Sequence, residues 1–209
     1  KVAKTNTAQK GVATAHALLG VFDKPLRQLF ESAGFATLAT LQYMEWHARQ
    51  SSPAIAQTTN ATFATIATRS HDELCSTLEK TFIGSLDCPA IHGKRHVDDI
   101  LASHQGFEQN NLSLWFTILA ENKPAGVLLM NRLPNEDVLE LAYLGILPEM
   151  RRRGLAKNAL THAVNQAVKR GCDKIILAVD IANTPAISLY KKVHFLETAN
   201  RMAMFCLLH

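Results

Sequence analysis

The chain has 209 residues, 47% hydrophobic and 19% charged, enough to bury a substantial core as one domain or one and a half. A net charge of +4, dispersed along the chain, is too mild to argue for nucleic acid, and no apolar run approaches a membrane span. Four cysteines (Cys75, Cys88, Cys172 and Cys206) at no framework spacing read as reduced thiols in a cytoplasmic protein. The chain begins at Lys1, already reading as mid-structure, so a fragment or processed form of a longer protein is expected.

Lys1 to Lys10 is polar and reads as helical, closed by Gly11 as a C-cap. Val12 to Leu19 is an apolar run of strand length. From Asp23 to Ala33 an N-cap aspartate precedes apolar residues at helical spacing, with Gly34 at the end. Phe35 to Trp46 then reads as a strand. Arg49 to Ala61 is small, polar and proline-bearing, which marks a linker. Thr62 to Ala67 is strand-like. Ser70 with Glu73 forms a capping box ahead of Leu74, Leu78 and Phe82 on one helical face. Leu86 to Gly93 is a loop, and Val97, Ile100 and Leu101 mark a short helix.

Leu112–Leu119, Ala125–Met130 and Val138–Ile146 read as three strands of an antiparallel meander, joined by turn chemistry at 121–124 and 133–137. Apolar pairs at 155/156, 159/160, 163/164 and 167/168 predict an amphipathic helix ending at Gly171. Lys174 to Val179 is a buried strand, Asn183 to Val193 a helix, and Phe195 to Leu207 a last strand. The order is that of an α/β layered domain.

Sliding the sequence against itself until Gly11 falls on Gly171 also sets Pro25 on Pro185, Leu29 on Leu189, Phe35 on Phe195 and Met44 on Met204. The shared punctuation predicts a repeat whose first copy lacks its front half. The expected division is residues 1–48 as the C-terminal half of a degenerate copy, 49–61 as linker, and 62–209 as the complete domain.

Between the third meander strand and the amphipathic helix lies a loop with Arg151, Arg152 and Arg153 ahead of Gly154. The glycine permits positive φ and close backbone approach. The first turn of the following helix leaves N–H groups unpaired at the positive end of the dipole, which suits a pyrophosphate. The three arginines are expected to add charge-assisted hydrogen bonds there.

Two motifs now coincide. Arg151-x-x-Gly154-x-Ala156 fits Arg/Gln-x-x-Gly-x-Gly/Ala, and Asn183-x-x-Ala186-x-x-x-Tyr190-x-x-x-His194-Phe195 fits Asn-x-x-Ala-x-x-x-Tyr-x-x-x-Gly-Phe except for histidine in place of glycine at His194. On these motifs residues 62–209 resemble the GNAT (Gcn5-related) N-acetyltransferases, and the dead-looking first copy resembles the tandem, mycothiol synthase-like members. The resemblance implies a mixed central sheet with helices on both faces. It also implies acetyl-CoA as co-substrate, with pantetheine lying where Val138–Ile146 splays from Lys174–Val179.

Under the same resemblance Leu144, Gly145 and Ile146 line the pantetheine arm, with the backbones of Leu144 and Ile146 pairing to it. Amides of Arg151, Arg152, Arg153, Gly154, Leu155, Ala156 and Lys157 hold the pyrophosphate, while Asn183 and Ala186 contact the arm. Tyr190 is the general acid that protonates the leaving thiolate. Glu140 is the candidate base, since its place ahead of Gly154 resembles that of the base glutamate in the histone acetyltransferase branch. Plain strand alternation puts it on the face of Ala142, Leu144 and Ile146. Phe30 and Asp23 stand where Tyr190 and Asn183 would be in the first copy, and phenylalanine cannot donate a proton.

Cys88, His92 and His96 have the donor types for zinc, but Pro89 and Gly93 break a helical ligand face and no fourth ligand is apparent, so no metal is expected. The function expected is acetyl transfer from acetyl-CoA to a primary amine of a small molecule or peptide. A catalytically silent acyl-CoA-binding or assembly module is the alternative. No nucleic acid or membrane partner is expected. The exposed edge of the first copy leaves open a homo-oligomer.

Overall fold

The structure, a computed structural model, describes residues 14–48, 61–91, 93, 96–104, 109–134 and 136–207. The expected helix over Lys1–Lys10, most of the linker and His92 lie outside these residues. The first part of the chain forms β1 (Thr14–Gly20), α1 (Lys24–Ser32) and β2 (Ala36–His47). The middle forms β3 (Ala61–Thr65), α2 (His71–Phe82), α3 (Val97–His104), β4 (Trp115–Ala120), β5 (Lys123–Arg132) and β6 (Val138–Ile146). The last part forms α4 (Leu155–Lys169), β7 (Lys174–Asp180), α5 (Thr184–Lys192) and β8 (Leu196–Leu207).

Local chemistry accounts for most boundaries. Ser70 Oγ accepts from the Glu73 amide at 3.1 Å and starts α2. Glu73 does not close the reciprocal half of the box, because its carboxylate pairs with Arg69 at 2.6 Å. The turn between β4 and β5 is tighter than expected. Glu121 and Asn122 both take positive φ (52° and 61°), as a two-residue type I′ hairpin requires. Pro124 therefore enters β5, where a register shift between Ile118 and Leu119 takes up the irregularity. His194 adopts φ 65°, so the left-handed step usual for glycine is made by an imidazole.

The eight described strands form one mixed sheet in the order β1-β8-β2-β7-β6-β5-β4-β3. The N-terminal β2 is not off to one side: it lies between β7 and β8 and runs antiparallel to both. β1 caps the edge by pairing with β8. At the offset that aligns Gly11 with Gly171, the bounds of β1, α1 and β2 fall on those of β7, α5 and β8. Asp23 caps α1 through the Leu26 amide (3.1 Å), as Asn183 caps α5 through the Ala186 amide (3.4 Å). The aromatic pairs Phe30–Phe35 and Tyr190–Phe195 close the two helix–strand corners at centroid distances of 4.9 and 5.8 Å.

The largest core packs α4 and α5 against one face of the sheet. Met44 and Trp46 of β2 are buried in it beside Leu139, Leu160, Ile175, Leu177, Val193 and Phe195. A second core lies on the opposite face, where Leu74 and Leu78 of α2 and Leu101 of α3 meet Trp115, Val127 and Leu129. A third, smaller one holds Leu26 and Phe30 of α1 against Leu19, Met202 and Met204. Among the described residues no helix is long and apolar enough to cross a membrane.

Candidate active site

β6 and β7 run parallel but pair only from Val138–Lys174 to Glu140–Ile176. Beyond that point the strands part, and two connected cavities fill the opening. One of about 230 Å³ is lined by Leu141 to Ile146, Ala178 and Val179, with Thr81 and Asp87 from the α2 side and Asn183 and Tyr190 from α5. The other, about 590 Å³, runs from Leu144 and Ile146 along Gly154, Leu155, Ala156 and Lys157 to Tyr190. Tyr190, Leu144, Ile146, Arg151 and Ala186 line both.

The second cavity ends at the start of α4. Gly154 sits at φ 78°, the left-handed region open to glycine at little cost. The first bond of the helix is from the Asn158 amide to the Gly154 carbonyl at 3.1 Å, so the amides of Leu155, Ala156 and Lys157 precede the ladder. An anion placed there meets unpaired donors and a positive helix end. Arg152 joins this lining; Arg153 lines neither cavity.

Arg151 departs from its expected use. Its guanidinium donates to the carbonyls of Ile146 (3.0 Å), Thr81 (2.9 Å), Ile83 (2.7 Å) and Gly84 (3.2 Å). The side chain therefore ties the end of β6 to the C-terminus of α2, where unpaired carbonyls favour a cation. It also occupies one lone pair of the Ile146 carbonyl. The Asn183 side-chain oxygen is likewise engaged, by the Ala186 amide it caps.

Glu140 shares a face with Ala142, as expected, but not with Leu144 and Ile146. Leu139 and Leu141 pack into the α4–α5 core, and so do Leu144 and Ile146, whereas Ala142 and Tyr143 pack toward α2 and α3. The register explains it: Leu129 pairs with Tyr143 and Met130 with Leu141, leaving Ala142 as an extra residue. A bulge of one residue reverses the face of everything beyond it. Glu140 thus points to the α3 side, where its carboxylate accepts from Asn131 Nδ2 at 3.3 Å. Asn131 is fixed in turn by Trp115 Nε1 and the His104 carbonyl. Glu140 stands at the last paired position before the strands part and lines neither cavity.

Three lining residues, Thr81, Asp87 and Tyr143, carry no motif that points to them. Tyr143 Oη lies 2.7 Å from Thr81 Oγ1 and is pushed up to about 12 by burial. Gly145 leaves room for that pair, since a Cβ there would come within 2.6 Å of the Tyr143 hydroxyl. Asp87 accepts from the Asp180 amide at 2.9 Å, and Asp180 accepts from the Cys88 amide at 3.3 Å, which fastens the loop after α2 to the end of β7. Burial raises the Tyr190 phenol well above its ordinary range, and the nearby Asp87 carboxylate adds to that. Tyr190 is therefore a hydroxyl, not a phenolate, at neutral pH.

Cys88 and His96 are drawn to different partners. The Cys88 thiol is pushed up to about 12 by burial and by Asp87 and Asp180, while His96 Nδ1 lies 3.2 Å from Asp98. Among the described residues the one grouping with three metal-ligand types is His71, Cys75 and Asp98 on α2 and α3, away from both cavities. Its contacts are those of ordinary hydrogen bonds, with His71 Nε2 2.8 Å from Asp98 Oδ1.

Residues 71–195 match the family model described as the acetyltransferase (GNAT) family. A stretch of 56 residues is 36% identical to a mycothiol acetyltransferase of Corynebacterium aurimucosum, covering 27% of this chain and 18% of that protein. The chain spans less than half the length of the curated relatives it matches, between 18 and 45% in the first two. Among solved structures, a GCN5-related N-acetyltransferase from Sphaerobacter thermophilus superposes with a TM-score of 0.65 at 17% identity, over 94% of this chain and 60% of that one. A tandem GNAT protein from the clavulanic acid biosynthesis pathway superposes over 100% of this chain and 68% of its own, with a TM-score of 0.61 at 11% identity. At these identities the likeness is one of fold.

Proposed function

The chain belongs to the GNAT acetyltransferase family, and from that premise we propose that it transfers an acetyl group from acetyl-CoA to the amine of an acceptor by direct attack. The observation that carries this reading is the cleft between β6 and β7, which leads from Tyr190 to the unpaired amides at the start of α4. A pantetheine arm suits the first part and a pyrophosphate the second. In the reaction the amine nitrogen bonds to the acyl carbon, the carbon–sulfur bond breaks, and the departing thiolate takes a proton. Tyr190, protonated and facing both cavities, is the donor. Glu140 is the carboxylate at the vertex of the cleft and takes the proton the amine gives up, directly or through one water.

Residues 1–48 fit the C-terminal half of a degenerate copy of the same domain. The coincidence of β1, α1 and β2 with β7, α5 and β8 at a fixed offset supports this, as do the paired caps and corners. Phe30 in the place of Tyr190 leaves that copy without an acid.

Titration of the protein with acetyl-CoA tests the proposal. Binding near micromolar is expected, and Gly154→Glu is expected to abolish it by setting a carboxylate and a strained backbone at the anion site. Wild-type protein that binds no acetyl-CoA would overturn the transfer reading and leave the assembly module. Binding without turnover of any amine would favour a silent acyl-CoA-binding module.

A further inference from the structure

On the sheet face that α4 and α5 do not cover, Glu140 and Arg201 carry opposite charges, and neither has an ionic partner among the described residues. Ile175, Leu177 and Val179 of β7 point into the α4–α5 core, as do Met44 and Trp46 of β2. The residues between them, Ile176, Ala178, Tyr43 and Glu45, face the other way. The register sets them in rows. Glu140 of β6, Ile176 of β7 and Glu45 of β2 form one row. Ala178, Tyr43 and Ala199 of β8 form the next, and Asp180 of β7, Leu41 and Arg201 the third, where the Asp180 carboxylate is taken up by the Cys88 and Ala182 amides.

Glu45 already has a cationic partner, Lys174 at 3.6 Å, and its carboxylate lies 3.0 Å from His47 Nε2. Glu140 has the Asn131 amide but, among the described residues, no cation. At the far end the Arg201 guanidinium donates to the Asn200 carbonyl at 3.4 Å and lines a small cavity with Asp23 without forming an ion pair with it. Tyr43 stands between these two, half-buried, with alanine on either side of it leaving the floor low. Burial raises its phenol, while Arg201 pulls it down and Glu140 pushes it up. The Glu140 end adjoins the mouth of the cleft, whose lining begins at Leu141, Ala142 and Ala178.

We propose that this face is the acceptor subsite and that it takes an amine bearing an anionic group, with the amine at Glu140, the anion at Arg201 and Tyr43 between them. The proposal rests on the acetyl-transfer reading and gives it a substrate class. Two unpaired charges of opposite sign on an open face are complementary to a zwitterion, and a neutral alkylamine satisfies only one of them. Because Tyr43 belongs to β2, the N-terminal segment becomes part of the substrate site.

The test is titration of the full chain, saturated with CoA, with ω-amino acids and ω-aminoalkyl phosphates of graded length, each against an alkylamine of matching length. At least one anionic member is expected to bind about tenfold more tightly than its neutral counterpart, the size of one charge-assisted hydrogen bond. Arg201→Met is expected to erase that gap without changing the affinity for CoA, and Tyr43→Phe to narrow it. At equal length, preference for the amino acids identifies a carboxylate and preference for the aminoalkyl phosphates a phosphate. No gap at any length, or a gap that survives Arg201→Met, would overturn the proposal. Loss of CoA binding alone would count against acetyl transfer instead, and the amine titrations can then be read without CoA.

Discussion

At the scale of single residues, Tyr190 and Phe30 show how one oxygen separates two otherwise similar corners. Each ring packs on the phenylalanine just before the next strand, Phe195 or Phe35, at the end of a helix capped in the same way by Asn183 or Asp23. Of the two, Tyr190 faces a cavity. Its ring holds the corner and its hydroxyl has the chemistry, so Tyr190→Phe should fold normally and bind acetyl-CoA within about twofold of wild type. Its kcat should fall about 10²–10⁴-fold, the range for a lost general acid. Steady-state kinetics with a turned-over amine decides it, and undiminished kcat would remove Tyr190 from the role. Arg151 marks the opposite case. Its place in the motif is plain from spacing, yet its guanidinium serves the carbonyls of a helix some 70 positions earlier, and only three-dimensional proximity brings those acceptors to it.

At the scale of elements, α4 and β6 show where periodicity holds and where it drifts. The apolar pairs of α4 predict its buried stripe, and Leu155, Ala159, Leu160, Ala163, Val164 and Ala167 are buried. Val168, the last of the pairs, is exposed, because a run of pairs at every fourth position turns slowly off a 3.6-residue helix. On the same helix His162 stacks on Phe63 at 4.1 Å and meets Phe116 edge-on at 4.6 Å, which joins α4 to β3 and β4. Burial, aided by Arg170, lowers it to about 4 from 6.5. An unfolded chain then binds the proton more readily than the folded one between those values, so stability rises with pH across that window and is lost as pH falls from 6.5 toward 4. The imidazole keeps partial contact with solvent, so the loss is about 1–2 kcal/mol rather than the full shift. His162→Leu should flatten this slope in denaturant melts at pH 4.5 and 7.5.

At the scale of the whole molecule, the insertion of β2 between β7 and β8 makes the N-terminal segment a structural partner of the rest. Met44 and Trp46 are almost fully buried in the core that supports Tyr190. Burial of such side chains contributes about 2 kcal/mol each, in addition to two ladders of backbone hydrogen bonds. A protease site placed between residues 48 and 61 should therefore leave, after cleavage, two fragments that elute together in gel filtration. They should separate only in denaturant. Separation in plain buffer would show that β2 is held by its tether rather than by the sheet.

The sequence by itself determined the fold class, the helix caps, the cleft strands and the glycine that opens α4. These are local matters: capping needs one side chain near one amide, and a glycine at positive φ needs only its own backbone. The echo of one end of the chain in the other was legible for the same reason, as punctuation rather than contact. Tertiary structure alone decided what depends on one residue more or less in a strand, or on which strand comes to lie beside which. The extra residue at Ala142 turned Glu140 to the face of α3, and no pattern of apolar and polar positions in β6 announces it. The place of β2 within the sheet brought Tyr43 and Arg201 onto the face of Glu140, because strand order sums pairing energies over the whole chain, which no window of sequence contains.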